Sequence, residues 1–464
     1  MLSVPATPLA VIGPLGILGI SVVFIVVAIA VWRLPAFFAL AFAAMLVGLL
    51  SAFDTGGSFV AAIERPLAEL GIACGKIAFP IALASVIGVC LTDSGAADRI
   101  VRTFVRVLGE KRADVAMLAS GFILAIPVFF DTVFFLLIPL ARVLAQRTGK
   151  NYTLYVMAMC GGGVITHSTV PPTPGPLLVS ETLKLDLGVS ILGGIACGIL
   201  PAVLVLVLAH WLNRRVAVAV RATAAEAAAV DRPESELPPF LVSILPVALP
   251  VILIGGASFA VLARPAGPPA GAWALVDFVG NKNVAMLVGT AVAVALLAWT
   301  KRASLKQIGE ALAAPLEPAG VIILITSAGG AYGAMINHAG IGGSVRALAE
   351  GRSVNYVLLA WLLTVIIRLA QGSATVAMIT ATGIMQSVAG AGGWDCHPFY
   401  IYLAVGYGAF FCSWMNDSGF WVVSRMGGFT EKETLRTWTL LLTLLSIFGL
   451  VQALVLSKLL PLGG

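Results

Sequence analysis

Four ionisable side chains stand inside long apolar stretches of the sequence, namely Asp131, His167, Arg368 and Asp417. A charge at membrane depth is costly, so each of them is a candidate functional residue. The guanidinium of arginine presents a rigid fork of N–H donors that suits a carboxylate, and Arg368 is therefore a candidate ligand or gate for an anion. The structural alternative is an ion pair of Arg368 with Asp131 or Asp417.

The other three residues have alternatives of the same kind. Asp131 and Asp417 could accept hydrogen bonds from a polyhydroxylated substrate or bind a proton, because burial disfavours the charged carboxylate. Each could instead cap a helix. His167 could carry a proton or donate to a substrate, or it could be a hydrogen-bonded structural histidine. Asp131, Asp417 and His167 are thus the candidates for proton coupling.

Hydroxyl and amide groups lie next to these ionisable residues in the sequence. Hydroxyls and open backbone N–H groups can bind a carboxylate or a sugar hydroxyl without adding a charge. The complete set of predicted substrate-binding residues is Thr166, His167, Ser168, Arg368, Gly372, Ser373, Thr375, Asn416, Asp417 and Ser418.

Most of these residues lie in two stretches that share one layout. Tyr155 begins an apolar run that ends in THSTVPPTPGP, and Tyr402 begins a run that ends in CSWMNDSG. Aligning the two runs pairs Thr166 with Ser413. Two matching hydrophobic segments, each interrupted by polar and helix-breaking residues, are typical of a transporter site. Backbone without helical hydrogen bonds is tolerated at membrane depth only inside the protein or along a cavity.

The composition also indicates a membrane protein. Hydrophobic residues make up 59% of the chain and charged residues 11%, and the mean hydropathy is +1.02. Soluble proteins have about 25% charged residues. The net charge of +6 is spread over short gaps between apolar runs, so we expect no nucleic-acid partner. The six cysteines have no metal-like spacing, so we expect no metal site and no cofactor.

A helix needs about 20 apolar residues to cross a bilayer, and ten segments satisfy this condition. Two further apolar stretches, 113–145 and 355–390, are interrupted by polar residues and have short legs. We predict that each is a re-entrant hairpin, and two full spans apiece is the alternative. The predicted spans are 11–32, 35–52, 67–92, 152–183, 188–212, 239–262, 283–300, 314–336, 399–424 and 434–458.

Lysine and arginine concentrate in one set of loops, which places both termini outside, in the periplasm, because cytoplasmic loops collect positive charge. The predicted fold is an all-α polytopic membrane protein built from two inverted repeats, each with five transmembrane helices and one re-entrant hairpin. The first repeat covers residues 1–213, a cytoplasmic linker covers 214–238, and the second repeat covers 239–464.

Motifs of soluble enzymes are missing, since the sequence contains no GxSxG, HExxH, P-loop or CxxC pattern. A membrane-embedded enzyme that uses Asp131, Asp417 and His167 remains an alternative, and a passive anion channel is a weaker one. The paired breaks and hairpins favour a transporter, because an enzyme needs only one asymmetric cluster.

Four segments resemble the gluconate permease family of the wider ion transporter superfamily. The resemblance implies proton-driven uptake of gluconate or a related sugar acid through the bacterial inner membrane, with D-serine as the substrate of some members. It also implies a homodimer whose scaffold and transport domains work as an elevator. The segments are FFDTVFFLLIPLARVLAQRTG from Phe129, THSTVPPTPGPLLVSETL from Thr166, RLAQGSATVAMITATG from Arg368 and NDSGFWVVSRMGGFTEKETLRTWT from Asn416.

Two differences from family patterns bear on the substrate and the coupling ion. Members of the family commonly carry a histidine between the two proline groups, where this chain has Thr173. A carboxylate-bearing substrate is still expected. The Asn–Thr signature that sodium-coupled relatives place at their hairpin tips is absent, which favours the proton over sodium.

Overall fold

The structure, a computed structural model, describes residues 12–148, 150–221, 233–262, 271–340, 355–389, 394, 396–415 and 417–462. All regular elements in these ranges are helices. In the first half they are α1 Gly13–Ala30, α2 Ala36–Thr55, α3 Phe59–Asp93, α4 Ala96–Leu108, α5 Ala113–Leu124, α6 Phe130–Thr148, α7 Tyr152–Thr169, α8 Pro174–Thr182 and α9 Leu187–Arg215.

The second half continues with the same kinds of helix. These are α10 Phe240–Leu262, α11 Ala272–Gly280, α12 Lys282–Lys301, α13 Leu305–Ala313, α14 Leu316–His338, α15 Tyr356–Gln371, α16 Ala374–Ala389, α17 Pro398–Gly408, α18 Ser418–Gly427 and α19 Glu431–Leu459.

Seven helices in the described ranges are long and apolar enough to cross a membrane. They are α2, α3, α9, α10, α12, the α13–α14 stretch and α19. The prediction of an all-helical polytopic membrane protein is therefore confirmed. The sequence did not predict α4, α11 and α13, which lie between the predicted spans.

Both predicted breaks occur as interruptions between two shorter helices. The first separates α7 from α8, which begins with Pro174 in its first turn. Proline suits this position because its missing N–H would have no helical partner there. The second break separates α17 from α18, where the Asp417 side chain accepts a hydrogen bond from the Gly419 N–H. Each break places a helix start and a helix end inside the protein.

Both predicted hairpin stretches are helix pairs as well. Helices α5 and α6 occupy the first, and α15 and α16 occupy the second. Gly372 ends α15 with φ +85°, a left-handed conformation that glycine adopts without strain from a Cβ atom. The Gln-Gly-Ser sequence therefore turns the chain directly into α16.

Helix α5 of the first hairpin packs tightly on α7. A Cβ atom on Gly162 would lie 2.4 Å from the Leu118 carbonyl oxygen, and one on Gly121 would lie 2.2 Å from the Met159 carbonyl oxygen. The two backbones can approach this closely only because neither glycine has a side chain. The contact fixes the hairpin relative to the first break.

The second hairpin contributes to a separate apolar cluster. Helix α16 packs there with α14, α1 and α2, around Leu40, Tyr332 and Ile384. The Tyr332 hydroxyl lies 2.9 Å from the Ser21 hydroxyl, which links α14 to α1. The second hairpin is thus held by helices from both halves of the chain.

The C-terminal end of the predicted linker is bound to α4. Arg99 of α4 donates to the carbonyl oxygens of Pro238, at 2.7 Å, and of Leu237, at 3.0 Å. Arg106 forms an ion pair with Glu234 and lowers the pKa of that carboxyl. Residues 222–232 lie outside the described residues. Helix α9 extends to Arg215, which is the second residue of the predicted linker.

The α5–α7 contact predicts opposite results for two neighbouring glycines. Gly162→Ala should destabilise the protein by about 1–3 kcal/mol, because its methyl group meets the α5 backbone. Gly163→Ala should be neutral or stabilising by up to about 1 kcal/mol, because its Cβ would lie 3.5 Å from the Phe130 ring and alanine favours a helix. Thermal unfolding of the detergent-solubilised variants measures the difference. Equal melting temperatures would contradict the close approach.

Candidate functional site

A cavity of about 560 Å³ lies where the hairpins and the breaks meet. Its walls come from α3, the α5–α6 and α15–α16 junctions, the end of α7, the α13–α14 junction, the start of α18, and α19. Of the predicted site residues, those that line it are Asp131, His167, Ser168, Arg368, Ser373, Thr375, Asp417 and Ser418. The fold thus gathers most of the predicted residues around one space.

Arg368 is the buried cation of this cavity, with only 3% of its surface exposed. Its Nη2 donates to the Asp417 carboxylate in an ion pair. Its Nε and Nη1 are buried and have no hydrogen-bond partner among the described residues. A buried donor without a partner is unfavourable, so these N–H groups favour an additional acceptor.

Asp417 has several partners at the start of α18. Its carboxylate accepts hydrogen bonds from the Ser413 hydroxyl and, at 3.1 Å, from the Gly419 N–H. Ser413 in turn accepts a hydrogen bond of 2.7 Å from the Trp438 indole N–H. Asp417 therefore caps a helix and forms an ion pair with Arg368, as the structural alternatives for these residues predicted. It also lines the cavity.

The Trp438 indole belongs to an irregular part of α19. Residues Leu435–Thr439 form a π-helical segment, a feature that often accompanies functional sites. Within it the Thr439 hydroxyl donates to the Ser413 carbonyl oxygen at 2.5 Å. Both contacts end on Ser413, so the segment orients the residue that supports Asp417.

Asp131 differs from Asp417 in having no such partners. It lies in the first turn of α6 and makes no ion pair or hydrogen bond through its side chain with any described residue. It is close enough to Asp417 for the two negative charges to interact. A carboxylate in this setting is available to a proton or to substrate hydroxyls.

His167 occupies the last turn of α7. Its Nδ1 is buried without a hydrogen-bond partner among the described residues, and its ring meets the edge of Phe129 at 6.4 Å between centroids. Its carbonyl oxygen accepts a 2.9 Å hydrogen bond from the Thr173 hydroxyl. Thr173 thus stabilises the break through the backbone.

Three predicted site residues do not line the cavity. The Thr166 hydroxyl donates to the Phe122 carbonyl oxygen at 2.8 Å, so it joins α7 to α5. Gly372 serves as the C-cap of α15, and its N–H donates to the Arg368 carbonyl oxygen at 2.9 Å. Asn416 lies outside the described residues.

Other polar residues contribute although the sequence did not single them out. Ser85 and Thr132 line the cavity, as does Trp438. The Ser413 hydroxyl donates a hydrogen bond to Asp417. The alignment of Ser413 with Thr166 was the one sequence signal that could have identified it. Trp438 lies beyond the second break, in the polar first part of α19, and no sequence pattern indicates its contact with Ser413.

Helix starts surround the cavity. Helices α6, α16 and α18 begin at Phe130, Ala374 and Ser418, and all three residues are part of its lining. The N-terminus of a helix carries a partial positive charge and free N–H donors. Together with Arg368 these ends favour an anion. The described residues contain no group of three or more His, Cys, Asp or Glu side chains that could hold a metal ion.

The fold is shared by solved membrane transporters. The YdaH transporter of Alcanivorax borkumensis superposes with a TM-score of 0.65 at 17% identity, over 93% of this chain and 100% of that chain. MtrF of Neisseria gonorrhoeae gives a TM-score of 0.60 at 15% identity, over 88% and 85% of the two chains. The chain therefore shares its fold with these two proteins.

Sequence comparison defines the family. The model of the family described as "GntP family permease" matches residues 14–459, and the chain belongs to this family. It is 34% identical to a gluconate permease of Pseudomonas aeruginosa, over 94% of this chain and 96% of the relative. It is 29% identical to the Gnt-II system L-idonate transporter of Escherichia coli K12, over 96% and 100% of the two chains. The enzyme alternative is therefore not retained.

The two aspartates should respond differently to removal of their charge. Asp417→Asn leaves Arg368 buried without its counter-ion and should destabilise the protein by about 3–5 kcal/mol. Asp131→Asn, which breaks no ion pair, should cost less than about 1 kcal/mol. Thermal unfolding in detergent, without substrate, compares them. Equal stability of the two variants would show that the Arg368–Asp417 pair does not hold the site together.

Proposed function

We propose that this protein imports gluconate or a related hydroxylated carboxylate across the bacterial inner membrane by proton symport. The observation that carries the proposal is the buried Arg368 guanidinium, which belongs to a residue of the cavity lining and whose Nε and Nη1 have no hydrogen-bond partner among the described residues. The names of the relatives, a gluconate permease and an L-idonate transporter, support a sugar acid.

The substrate's carboxylate accepts hydrogen bonds from the unpartnered N–H groups of Arg368. Its hydroxyls reach the hydroxyls of Ser168, Thr375 and Ser418, which line the same cavity. Asp131, in its protonated form, forms a hydrogen bond with a substrate hydroxyl. This arrangement combines one strong anion contact with weaker polar contacts that select for hydroxylation.

Coupling follows from competition between negative charges. A charged Asp131 repels the substrate's carboxylate, and a proton on Asp131 removes that repulsion. Protonation and substrate binding therefore strengthen each other by the same factor. We place the proton on Asp131 rather than on Asp417, because Arg368 already compensates Asp417. His167 is the next candidate, and sodium has no role in this scheme.

We further propose that residues 1–213 and 239–464 are inverted repeats that work as an elevator in a homodimer, with both termini in the periplasm. The order of elements supports the repeat, since a long helix, a helix pair, a broken helix and a final long helix follow one another in each half. The fold likeness to YdaH and MtrF supports a shared architecture.

The anion contact predicts a strict requirement for arginine. Arg368→Lys should weaken gluconate binding at least tenfold, about 1.4 kcal/mol, because a lysine ammonium cannot keep Asp417 paired while presenting the remaining donors. Thermal shift of the purified protein with gluconate, L-idonate, D-serine and small hydroxy acids measures binding. Arg425→Lys, at an exposed arginine of α18, is the matched control. Unchanged affinity in Arg368→Lys would refute the proposed anion ligand.

The coupling scheme predicts that transport steps separate in Asp131→Asn. This variant should lose uptake against a gradient but retain exchange of labelled for unlabelled substrate, because a neutral side chain mimics the protonated state permanently. Wild-type apparent affinity should improve as external pH falls from about 8 to about 6. Flux assays in proteoliposomes test both points. Uptake that requires sodium at constant pH, or concentrative uptake by Asp131→Asn, would overturn the assignment.

A further inference from the structure

A second cavity, of about 390 Å³, lies further along the helices that line the first. Helices α3, α14 and α16 contribute to both cavities, and α8 contributes to the second. On α3 the lining of the second cavity extends to Lys76, while the first includes Ser85, about 13 Å away along the helix axis. The two spaces are therefore arranged in series through the protein.

An apolar layer separates the two cavities. It consists of the buried residues Ile77, Ile81, Leu177, Leu178 and Ile379. On α3 the two isoleucines lie between the parts of the helix that line each cavity. Leu178 and Ile379 also line the second cavity, so the apolar layer forms the boundary of this cavity toward the first one.

The charges of the second cavity leave a cationic surplus. Glu69 pairs with His338 at 3.0 Å, and Glu181 pairs with Lys282. Lys76 and Lys184 also line the cavity, and their ammonium groups form no ion pair or hydrogen bond with any described residue. With the neighbouring Lys282, three lysines face two glutamates, so the cavity carries a net positive charge and the ammonium groups of Lys76 and Lys184 remain available.

Neutral polar side chains complete the lining. Thr182, Asn337 and Gln386 are part of it and can donate or accept hydrogen bonds. Two free ammonium groups with neighbouring hydroxyl and amide groups match a hydroxylated carboxylate. Lysine, a hydrated point charge on a flexible stem, suits brief capture better than tight binding.

We propose that the second cavity is an outer subsite, which captures the carboxylate of the substrate before it passes the apolar layer. The inference rests on the proposed function and adds the residues that recruit the substrate. The orientation of the chain supports the outer position, because Lys184 and Lys282 lie at the membrane side whose loops carry fewer lysines and arginines. A cleft with a net positive charge raises the local concentration of an anionic ligand.

The test is the double variant Lys76→Gln with Lys184→Gln, compared with Lys458→Gln. Lys458 is an exposed lysine near the end of α19 that lines neither cavity, so its loss changes only the total charge. Initial uptake of labelled gluconate should show a KM raised about three- to tenfold in the double variant, with kcat within about twofold. Raising the ionic strength should shrink this difference, because salt screens exposed charges.

Two measurements keep this inference apart from the proposed function. The affinity of the solubilised protein for gluconate should be the same in the wild type and the double variant, because the site around Arg368 is intact. The subsite is refuted if the KM of the double variant equals that of Lys458→Gln. It is also refuted if the double variant loses kcat and kcat/KM by the same factor. Neither result contradicts the proposed function. A wild-type protein that takes up and binds no carboxylate removes both.

Discussion

The buried ion pair of Arg368 and Asp417 is the interaction on which the candidate site depends. Removing two charges from water costs several kcal/mol for each ion, and such a pair persists only with further hydrogen bonds. Ser413 and Gly419 donate hydrogen bonds to Asp417, and Trp438 donates one to Ser413. The pair also joins the end of α15 to the start of α18, so the second hairpin and the second break are held as one unit.

The two halves contribute different chemistry to the cavity. The second half supplies the fixed cation and a carboxylate that is already neutralised by it. The first half supplies Asp131 and His167. Among the described residues, neither the Asp131 carboxylate nor the His167 Nδ1 has a hydrogen-bond partner. A fixed cation is suited to holding an anion, whereas unpaired titratable groups are suited to gaining and losing a proton. In the proposed scheme, the second half therefore binds the substrate's carboxylate and the first half carries the proton, within one cavity.

The sequence predicted the elements of this fold well because hydrophobic length and helix-breaking residues act locally. The interruptions at Pro174 and Gly372 depend only on neighbouring residues. The direction in which a side chain points depends instead on the packing of distant residues. Thr166 and Ser168 stand two residues apart, yet one hydroxyl bonds to α5 and the other lines the cavity. The role of Trp438 was hidden for the same reason, since its contact with Ser413 exists only in three dimensions.

The layer between the two cavities bears on how the substrate crosses. Ile77 and Ile81 belong to the long helix α3, whereas Leu177, Leu178 and Ile379 belong to α8 and α16, which begin at the first break and the second hairpin. Contacts among aliphatic side chains are non-directional, so two such surfaces can slide without breaking specific bonds. In the proposed elevator, α8 and α16 would move past α3 together with the site. The barrier would then open by displacement of one wall, and no charged residue would enter the apolar layer.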